Sequence, residues 1–341
     1  LDIGTTKVCT IIASKSGKNL EILGVGSFPS QGLKKGSVVN IEKTVESIRS
    51  SLEEAKLMAG IESLSSATIG IAGNHIYCFN SSGVVAVRGK EIDQSDIERV
   101  VEAAKAVLIP SDREILHAIT QEFKVDNTSG IKNPIGMCGS RLEANVHIVT
   151  GKTTLIHNLI KCVEHTGLQA SDIILQPIAS SRSVLSSEEK ELGVVLLDIG
   201  GGTTDIAIWK DGSLVHSQII PLGGHHFTND LAVALKIPHN EAERVKVSYG
   251  SVLKTNVKET YVTVNGIKGT KPREVPLSLI SSVLEARAEE LFKVVNDIIR
   301  EKNLVEDITG GYVLTGGGAM VSQLSDLAEY LLDRPVKMGY P

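Results

Sequence analysis

The feature that most limits what this chain can form is a run of three glycines, Gly200–Gly202, between two apolar stretches of strand length. Glycines between two strands predict a tight hairpin, and without a Cβ the backbone can approach a ligand closely. Backbone N–H groups facing one concavity form an anion site, to which the Thr203 and Thr204 hydroxyls can add donors. Asp198, at the end of the first strand, is placed to hold a hydrated cation beside that anion. We therefore predict a hairpin that binds phosphate and magnesium.

The same pattern occurs at the start of the chain. Residues 1–8 and 197–206 share Leu-Asp-Ile-Gly, followed by Thr-Thr and by a strand-forming stretch. A third glycine cluster, Gly316–Gly318, ends a strand-forming stretch and opens a helical one. A repeated hairpin predicts two similar lobes, each of which offers a phosphate loop to one nucleotide in the cleft between them.

In this order the three segments resemble the two phosphate hairpins and the adenosine loop of the actin, Hsp70 and sugar-kinase superfamily. Within it the chain most closely resembles the FtsA family of bacterial cell-division proteins, along essentially its whole length. The segments that carry this closer resemblance are 71–76, 131–137, 143–147 and 180–185. The resemblance implies an α/β, actin-like two-lobe ATPase fold of duplicated RNase H-like domains, with ATP and Mg²⁺ as cofactors. It leaves open whether the chain hydrolyses ATP.

Composition narrows the function without identifying it. A chain of 341 residues is long for one hydrophobic core, so two or more domains are expected. A net charge of −5 and the lack of a dense Lys/Arg run argue against a nucleic-acid partner. No apolar stretch reaches the roughly 18 residues that span a bilayer. The four cysteines lie far apart in the sequence, which favours reduced thiols and a cytoplasmic protein.

A compact group of strands and one helix over 76–155 interrupts the first lobe and predicts an inserted α+β subdomain. In the FtsA family an insert at this place is the subdomain called 1C, which is implicated in self-assembly and in recruiting later division proteins. The predicted units are 1–75 with 156–190 (1A), 76–155 (1C), 191–222 with 300–341 (2A) and 223–299 (2B).

Local patterns predict the elements around the glycine clusters. Apolar residues recur at three- and four-residue spacing over 41–58 and 277–304, which indicates amphipathic helices, and another helix is expected to begin near Thr153. A hairpin is predicted around 266–269, and a helix over 320–332 would direct its N-terminal amides at the nucleotide.

In the second lobe a helix is predicted over roughly 225–235, with Thr228 or Asn229 as its cap. The neighbouring pair His225 and His226 suggests a metal site, but no carboxylate or third histidine lies at ligand spacing. We therefore interpret the two as exposed loop histidines.

The resemblance assigns roles to individual positions. Asp198, and less directly Asp2, would hold magnesium-bound water, and Gln176 falls where related proteins orient the attacking water, although a plain solvent-facing glutamine explains it equally well. Glu243 and Lys246 share a helix face and would line the adenosine pocket, where a surface salt bridge is the alternative. The predicted nucleotide-binding residues are Asp2, Gly4, Thr5, Thr6, Lys7, Gly200, Gly201, Gly202, Thr203, Thr204, Gly223, Gly224, Glu243, Lys246, Gly316, Gly317 and Gly318. The predicted catalytic pair is Gln176 and Asp198.

The resemblance also implies partners. Arg287 and Lys293 lie off the apolar stripe of the 277–304 helix and are candidates to bind the acidic C-terminal tail of the tubulin-like protein FtsZ, with solvated charges as the alternative. Further partners would be copies of the chain itself in a filament and later division proteins. Members of the family end in an amphipathic helix that targets the inner membrane, and the sequence stops at Pro341 without one. The expected location is peripheral, on the cytoplasmic face of that membrane at the division site.

Two other functions fit the same motifs. A pilus-assembly protein of actin-like fold would carry the same insert but lack the FtsZ-tail site. A sugar kinase shares the three loops but would need a catalytic aspartate in a substrate pocket between the lobes, and the sequence offers no candidate for it.

Overall fold

The computed structural model describes residues 1–17, 19–253, 260–266 and 271–341. Its strands are β1 Asp2–Ile3, β2 Lys7–Ser16, β3 Asn19–Pro29, β4 Leu33–Lys34, β5 Ser37–Val38, β6 Ser66–Ile71, β7 Ile76–Ala86, β8 Arg113–Val125, β9 Thr128–Ile131, β10 Arg141–Lys152, β11 Gln169–Leu175, β12 Val194–Ile199, β13 Thr204–Lys210, β14 Ser213–Ile220, β15 Tyr261–Val264, β16 Arg273–Pro276, β17 Tyr312–Thr315 and β18 Val336–Met338. Its helices are α1 Ile41–Ala59, α2 Gln94–Lys105, α3 Thr153–Glu164, α4 Gln176–Val184, α5 Ser187–Leu192, α6 Gly224–Leu235, α7 His239–Tyr249, α8 Leu277–Glu301 and α9 Leu324–Leu332. Two 3₁₀ turns cover Val305–Asp307 and Gly317–Met320.

Two five-stranded sheets with the same internal order form the centres of the two lobes. The first has the order β3-β2-β1-β6-β11 and the second β14-β13-β12-β17-β18. In each sheet the first three strands are antiparallel and the last three are parallel. This equivalence confirms the predicted duplication of an α/β, actin-like lobe.

The helices bury the faces that the periodicity predicts. The side chain of Asn40 accepts a hydrogen bond from the N–H of Lys43 and caps α1, and Gly60 ends it in the left-handed region at φ 66°. Ile48 on α1 is buried in the first-lobe core, and Leu291 on α8 in the second-lobe core. The predicted helices 41–58 and 277–304 and the helix start at Thr153 are therefore confirmed.

The inserted unit is a four-stranded antiparallel sheet, β7-β10-β8-β9, covered by α2. It rests on the second lobe as well as joining the first. The side-chain amide of Gln121 donates to the carbonyl of Leu214 (2.9 Å), and that of Asn80 donates to the carbonyl of Val215 (3.0 Å). Both carbonyls belong to β14, an edge strand of its sheet, so the insert covers part of that edge.

Three local predictions are corrected. The helix α6 begins at Gly224, with Gly223 rather than Thr228 or Asn229 as its cap. His225 and His226 therefore lie in its first turn, where His226 Nδ1 accepts the Gly223 N–H at 3.0 Å, so the exposed-loop interpretation is wrong. The reason is that backbone carbonyls of the preceding hairpin take the N–H groups that a side-chain cap would satisfy.

The last helix also begins later than predicted. A 3₁₀ turn occupies Gly317–Met320, and α9 starts at Leu324 rather than at Met320. Part of the predicted 266–269 hairpin lies outside the described residues, while β15 and β16 on either side pair antiparallel. All four cysteines are free thiols. Within the described ranges no helix is both long and apolar enough to cross a membrane.

Candidate functional site

The two glycine-containing hairpins have the same length and register. Asp2 pairs with Cys9 across the first hairpin, and Asp198 pairs with Asp205 across the second. Each loop is closed by one backbone hydrogen bond, from Gly4 N–H to the Lys7 carbonyl (3.0 Å) and from Gly200 N–H to the Thr203 carbonyl (2.9 Å). The Thr-Thr pairs that look equivalent in sequence are therefore offset by two positions in space.

The tips of the hairpins face each other across the cleft. A Cβ added to Gly201 would lie 1.8 Å from Thr6 Oγ1, and one added to Gly202 would lie 2.9 Å from Thr5 Oγ1. The second hairpin therefore needs glycine where the first has threonine, because the two tips share the same space.

Most of the predicted nucleotide-binding residues line one cleft between the lobes, with a volume of about 830 Å³. Those in its wall are Asp2, Gly4, Thr5, Thr6, Lys7, Gly200, Gly201, Gly202, Thr203, Gly224, Glu243, Lys246, Gly316, Gly317 and Gly318, joined by Gln176 and Asp198. Two predicted residues lie outside the wall. Thr204 is fully buried and donates to the Leu222 carbonyl (2.8 Å), and Gly223 packs against the carbonyls of Gly200 and Gly201.

Three carboxylates converge below the hairpins. Burial raises the pKa of Asp2, although part of its side chain reaches solvent, and the nearby Asp198 raises it further. Burial also raises the pKa of Asp198, against a hydrogen bond from Ser180. Burial, Asp198 and Asp2 together hold the pKa of Asp205 well above its usual range. Mutual repulsion of this kind is what a bound divalent cation would relieve.

Asp205 was not predicted as a site residue. It is 4% exposed, and its Oδ1 has no hydrogen-bond partner among the described residues. The signal in the sequence for Asp205 as a site residue was an acidic residue within a buried strand of the run 197–206. Within the described part of the chain, no three Asp, Glu, His or Cys side chains lie close enough to bind a bare ion. The arrangement instead fits Mg²⁺ that keeps its waters, from which Asp2, Asp198 and Asp205 would accept hydrogen bonds.

One helix orients an aspartate of each hairpin. On α4, Gln176 Nε2 donates to Asp2 Oδ1 at 2.6 Å, and Ser180 Oγ donates to Asp198 Oδ2 at 2.6 Å. The two donors are four residues apart, so they project from the same helix face. Pro177, early in α4, fits the first turn because its missing N–H would have no helical partner there. Ser180 is a second site residue that the sequence did not identify.

The predicted adenosine side is connected by hydrogen bonds. On α7 Lys246 Nζ contacts Glu243 Oε2 at 2.8 Å, and Thr228 Oγ1 of α6 contacts both side chains. These bonds lower the pKa of Glu243 against the effect of its burial. Opposite them, Gly316 has a φ of 87°, and a Cβ added to it would lie 2.4 Å from Asp198 Oδ1. The third glycine cluster therefore touches the carboxylate site directly.

The two residues predicted to bind the FtsZ tail have different surroundings. Arg287 forms a charge-assisted pair with Asp230 at 2.5 Å and contacts Glu290, while Lys293 is exposed. Six residues of α-helix place their side chains about 120° apart around the axis. The structure does not bring them to one helix face.

The duplicated sheets and the shared cleft define a protein of the actin-like class. The PilM–PilN type IV pilus biogenesis complex superposes with a TM-score of 0.72 at 16% identity, covering 99% of this chain and 86% of that one. MreB5 of Spiroplasma citri bound to ADP superposes at 0.60 with 17% identity, covering 99% and 90%. At these identities the likeness is one of fold.

Sequence comparison identifies the family. Residues 73–150 match the model for the SHS2 domain inserted in FtsA, and residues 195–341 match that for cell division protein FtsA. The chain is 45% identical to cell division protein FtsA of Pseudomonas aeruginosa over all of its length and 82% of the relative's. The values are 40% for Bacillus subtilis and 37% for Escherichia coli K12, over 78% and 83% of those relatives. The chain belongs to the FtsA family of cell-division proteins.

Proposed function

We propose that this cell-division protein binds ATP with Mg²⁺ in the cleft and uses the bound nucleotide to set the angle between its lobes. The observation that carries the proposal is the pair of equivalent hairpins whose tips meet across the cleft. Phosphates held by backbone N–H groups from both tips would tie the two lobes together. The MreB5 structure of the same fold contains ADP, which supports a nucleotide as the ligand.

Each part of the cleft would hold one part of the nucleotide. The glycine loops and Thr5, Thr6 and Thr203 would hold the phosphates, and Lys7 would add a mobile positive charge. Asp2, Asp198 and Asp205 would hold the hydrated Mg²⁺, which neutralises phosphate charge when bound. Glu243, Lys246 and the loop 316–318 would hold adenosine. Gln176 uses its amide nitrogen on Asp2, so its carbonyl oxygen is the atom that would orient a water for hydrolysis.

Titration with a fluorescent ATP analogue, with Mg²⁺ and then with excess EDTA, tests the nucleotide proposal. We expect saturable binding that EDTA weakens, and Asp198→Asn to reduce affinity about tenfold or more, because a cation loses a charged acceptor. Asp307→Asn is the matched control, since Asp307 pairs with Lys210 at 2.6 Å outside the cleft. If neither EDTA nor Asp198→Asn changed the affinity, the magnesium assignment would be wrong. If the wild-type protein did not bind the analogue, the proposal would be overturned.

We further propose that the protein binds the FtsZ tail on the second lobe, assembles into filaments, and attaches the division ring peripherally to the cytoplasmic face of the inner membrane. Membership of the FtsA family supports this, together with the cationic side chains of α8. Recruitment of later division proteins is assigned to the inserted sheet β7-β10-β8-β9.

Anisotropy titration of a labelled FtsZ C-terminal peptide tests the adaptor role. Lys293→Glu is the cleaner variant because Lys293 is exposed, whereas a glutamate at 287 would face Asp230 and Glu290 and lose stability as well as positive charge. We expect Lys293→Glu to weaken binding about threefold or more at low salt. Lys43→Glu, at an exposed position of α1 in the first lobe, is the control. Equal effects of the two changes would remove Lys293 from the site.

A further inference from the structure

The side chain of His225 lies where the tips of the two hairpins meet. It is the second residue of α6, and the N–H groups of Gly224 and His225 donate to the carbonyls of Gly200 and Gly201, each at 2.8 Å. These bonds hold the start of the helix, and with it the imidazole, against the second hairpin. The second hairpin therefore helps to set the position of His225.

The imidazole also reaches the other lobe. His225 Nε2 lies 3.2 Å from Thr6 Oγ1, at hydrogen-bond distance, across 219 residues of sequence. A Cβ added to Gly201 would lie 3.3 Å from the same nitrogen. Three groups that could each face a phosphate, a histidine nitrogen, a threonine hydroxyl and a glycine backbone, thus meet at one point in the cleft.

We propose that His225 binds the terminal phosphate of a nucleoside triphosphate, and that this phosphate replaces the bond between His225 and Thr6. The inference rests on the nucleotide-binding function proposed above. Lys246 Nζ contacts the Gly224 carbonyl at 3.2 Å, so the adenosine side adjoins the start of α6. With adenosine there, the phosphates would extend along the cleft, and the terminal one is assigned to the point where His225 meets Thr6. An entering phosphate would displace the Thr6 hydroxyl from His225 while the two hairpins stay adjacent, and both side chains can then donate to its oxygens.

The electrostatics of the cleft support this assignment. Burial lowers the pKa of His225, and Lys246, His239 and His226 lower it further, while Glu243 acts in the opposite direction. These surroundings therefore favour the neutral imidazole before the ligand binds. A triphosphate beside it favours the charged form and raises its pKa. Binding then takes up a proton, so triphosphate affinity falls as pH rises through the pKa of the complex.

The test compares fluorescent ATP and ADP analogues with Mg²⁺ on the intact chain between pH 6 and pH 8. We expect His225→Ala to weaken ATP binding about tenfold or more while ADP binding changes by less than about twofold, since only the triphosphate reaches the tips. His225→Gln keeps an N–H donor but cannot become a cation, so it should recover part of the ATP affinity and lose the pH dependence. His157→Ala is the matched control, because its exposed side chain lies on α3 beside Glu114 (3.8 Å) and is not part of the cleft wall.

Three outcomes separate this inference from the function on which it rests. ATP and ADP affinities that fall equally in His225→Ala, or that do not fall, would overturn the role of His225 while nucleotide binding stands. A wild-type ATP affinity that does not depend on pH would overturn the proton uptake. If the wild type binds neither analogue, the proposed function fails and this inference with it. Unchanged ADP affinity in each variant shows that the variant is folded.

Discussion

The two glycine-containing hairpins have the same backbone register and carry different side chains. Both close with a four-residue loop after an Asp-Ile strand, and their registers are equivalent. At the tip, the first has Thr5 and Thr6 where the second has Gly201 and Gly202. Below the tip, the first has Cys9 where the second has Asp205. Threonines on both tips would occupy the same volume where these hairpins meet, so the second tip has glycines there.

The two hairpins also differ in charge. The second hairpin carries two carboxylates on one rung, Asp198 and Asp205, while the first carries only Asp2. The helix α4 gives one hydrogen-bond donor to an aspartate of each hairpin. The second hairpin is thus the better candidate for the proposed cation, and the first would supply hydroxyls to the phosphates.

The largest effect is expected when a glycine at the tip of the second hairpin is replaced by a larger residue. Gly201→Ala places a methyl group 1.8 Å from Thr6 Oγ1. Gly201 does not have a positive φ, so the clash is the source of the cost. We expect closure of the lobes around ATP to weaken by about 1–3 kcal/mol, as for other overpacked contacts. The measurement is the dissociation constant of a fluorescent ATP analogue.

The compensating change tests whether the tips share that space. Thr6→Gly combined with Gly201→Ala exchanges small and large residues between the hairpins, so the double variant should bind more tightly than Gly201→Ala alone. A double-mutant cycle gives the coupling. Strictly additive losses would mean that the tips do not meet when ATP is bound.

The next effect concerns Asp205, which pairs with Asp198 at the place where the first hairpin has Cys9. The folded pKa of Asp205 lies above its unfolded value, so the folded protein holds this proton more tightly. Stability without Mg²⁺ should therefore fall as pH rises above the unfolded pKa, until the folded pKa is passed. Asp205→Asn should reduce this slope, raise stability in EDTA near pH 7 by about 1–3 kcal/mol, and lower the stabilisation by Mg²⁺-ATP. Thermal unfolding at several pH values measures both.

The control for that variant is the equivalent position of the first hairpin. Cys9→Ser changes a neutral group for another and should leave the pH slope and the Mg²⁺ effect unchanged. If both variants changed the pH slope and the Mg²⁺ effect equally, the cause would be any substitution at this pair of positions and not the Asp205 carboxylate.

A smaller effect is expected from the two donors on α4. Ser180→Ala removes the hydrogen bond to Asp198, and Gln176→Ala removes the one to Asp2. We expect Ser180→Ala to weaken Mg²⁺-dependent ATP binding by about 1–2 kcal/mol and Gln176→Ala by less, because Asp2 is open to the cleft and water can replace the amide. Calorimetric titration with Mg²⁺-ATP measures the order, and the reverse order would assign the main cation contact to the first hairpin.

The smallest effect is expected from Lys7, which occupies the position of the first hairpin that is equivalent to Thr203 of the second. Lys7 is exposed, so its charge is screened by salt. Lys7→Thr makes the two positions alike and should weaken ATP binding less than about threefold at physiological salt. A larger loss that persists at high salt would indicate a direct contact with a phosphate.

The local parts of the fold could be predicted, and the contacts between distant parts could not. The hairpins, α1, α8 and the inserted unit follow from strand-length apolar runs, three- and four-residue periodicity and glycine turns. The predicted cap of α6 was wrong because carbonyls of the preceding hairpin, not a side chain of the helix, accept from its first N–H groups. Asp205 and Ser180 were missed because neither residue type, by itself, distinguishes a site from an ordinary strand or helix.

The two equivalent hairpins and the third glycine loop can be predicted from the local order of residues, because turn and strand formation depend on neighbouring residues. Three contacts depend instead on how the lobes pack: threonines with glycines at the tips, one face of α4 with both Asp2 and Asp198, and His225 with Thr6. Such contacts join residues up to 219 positions apart. They exist only once packing of the two lobes has brought those side chains within van der Waals distance.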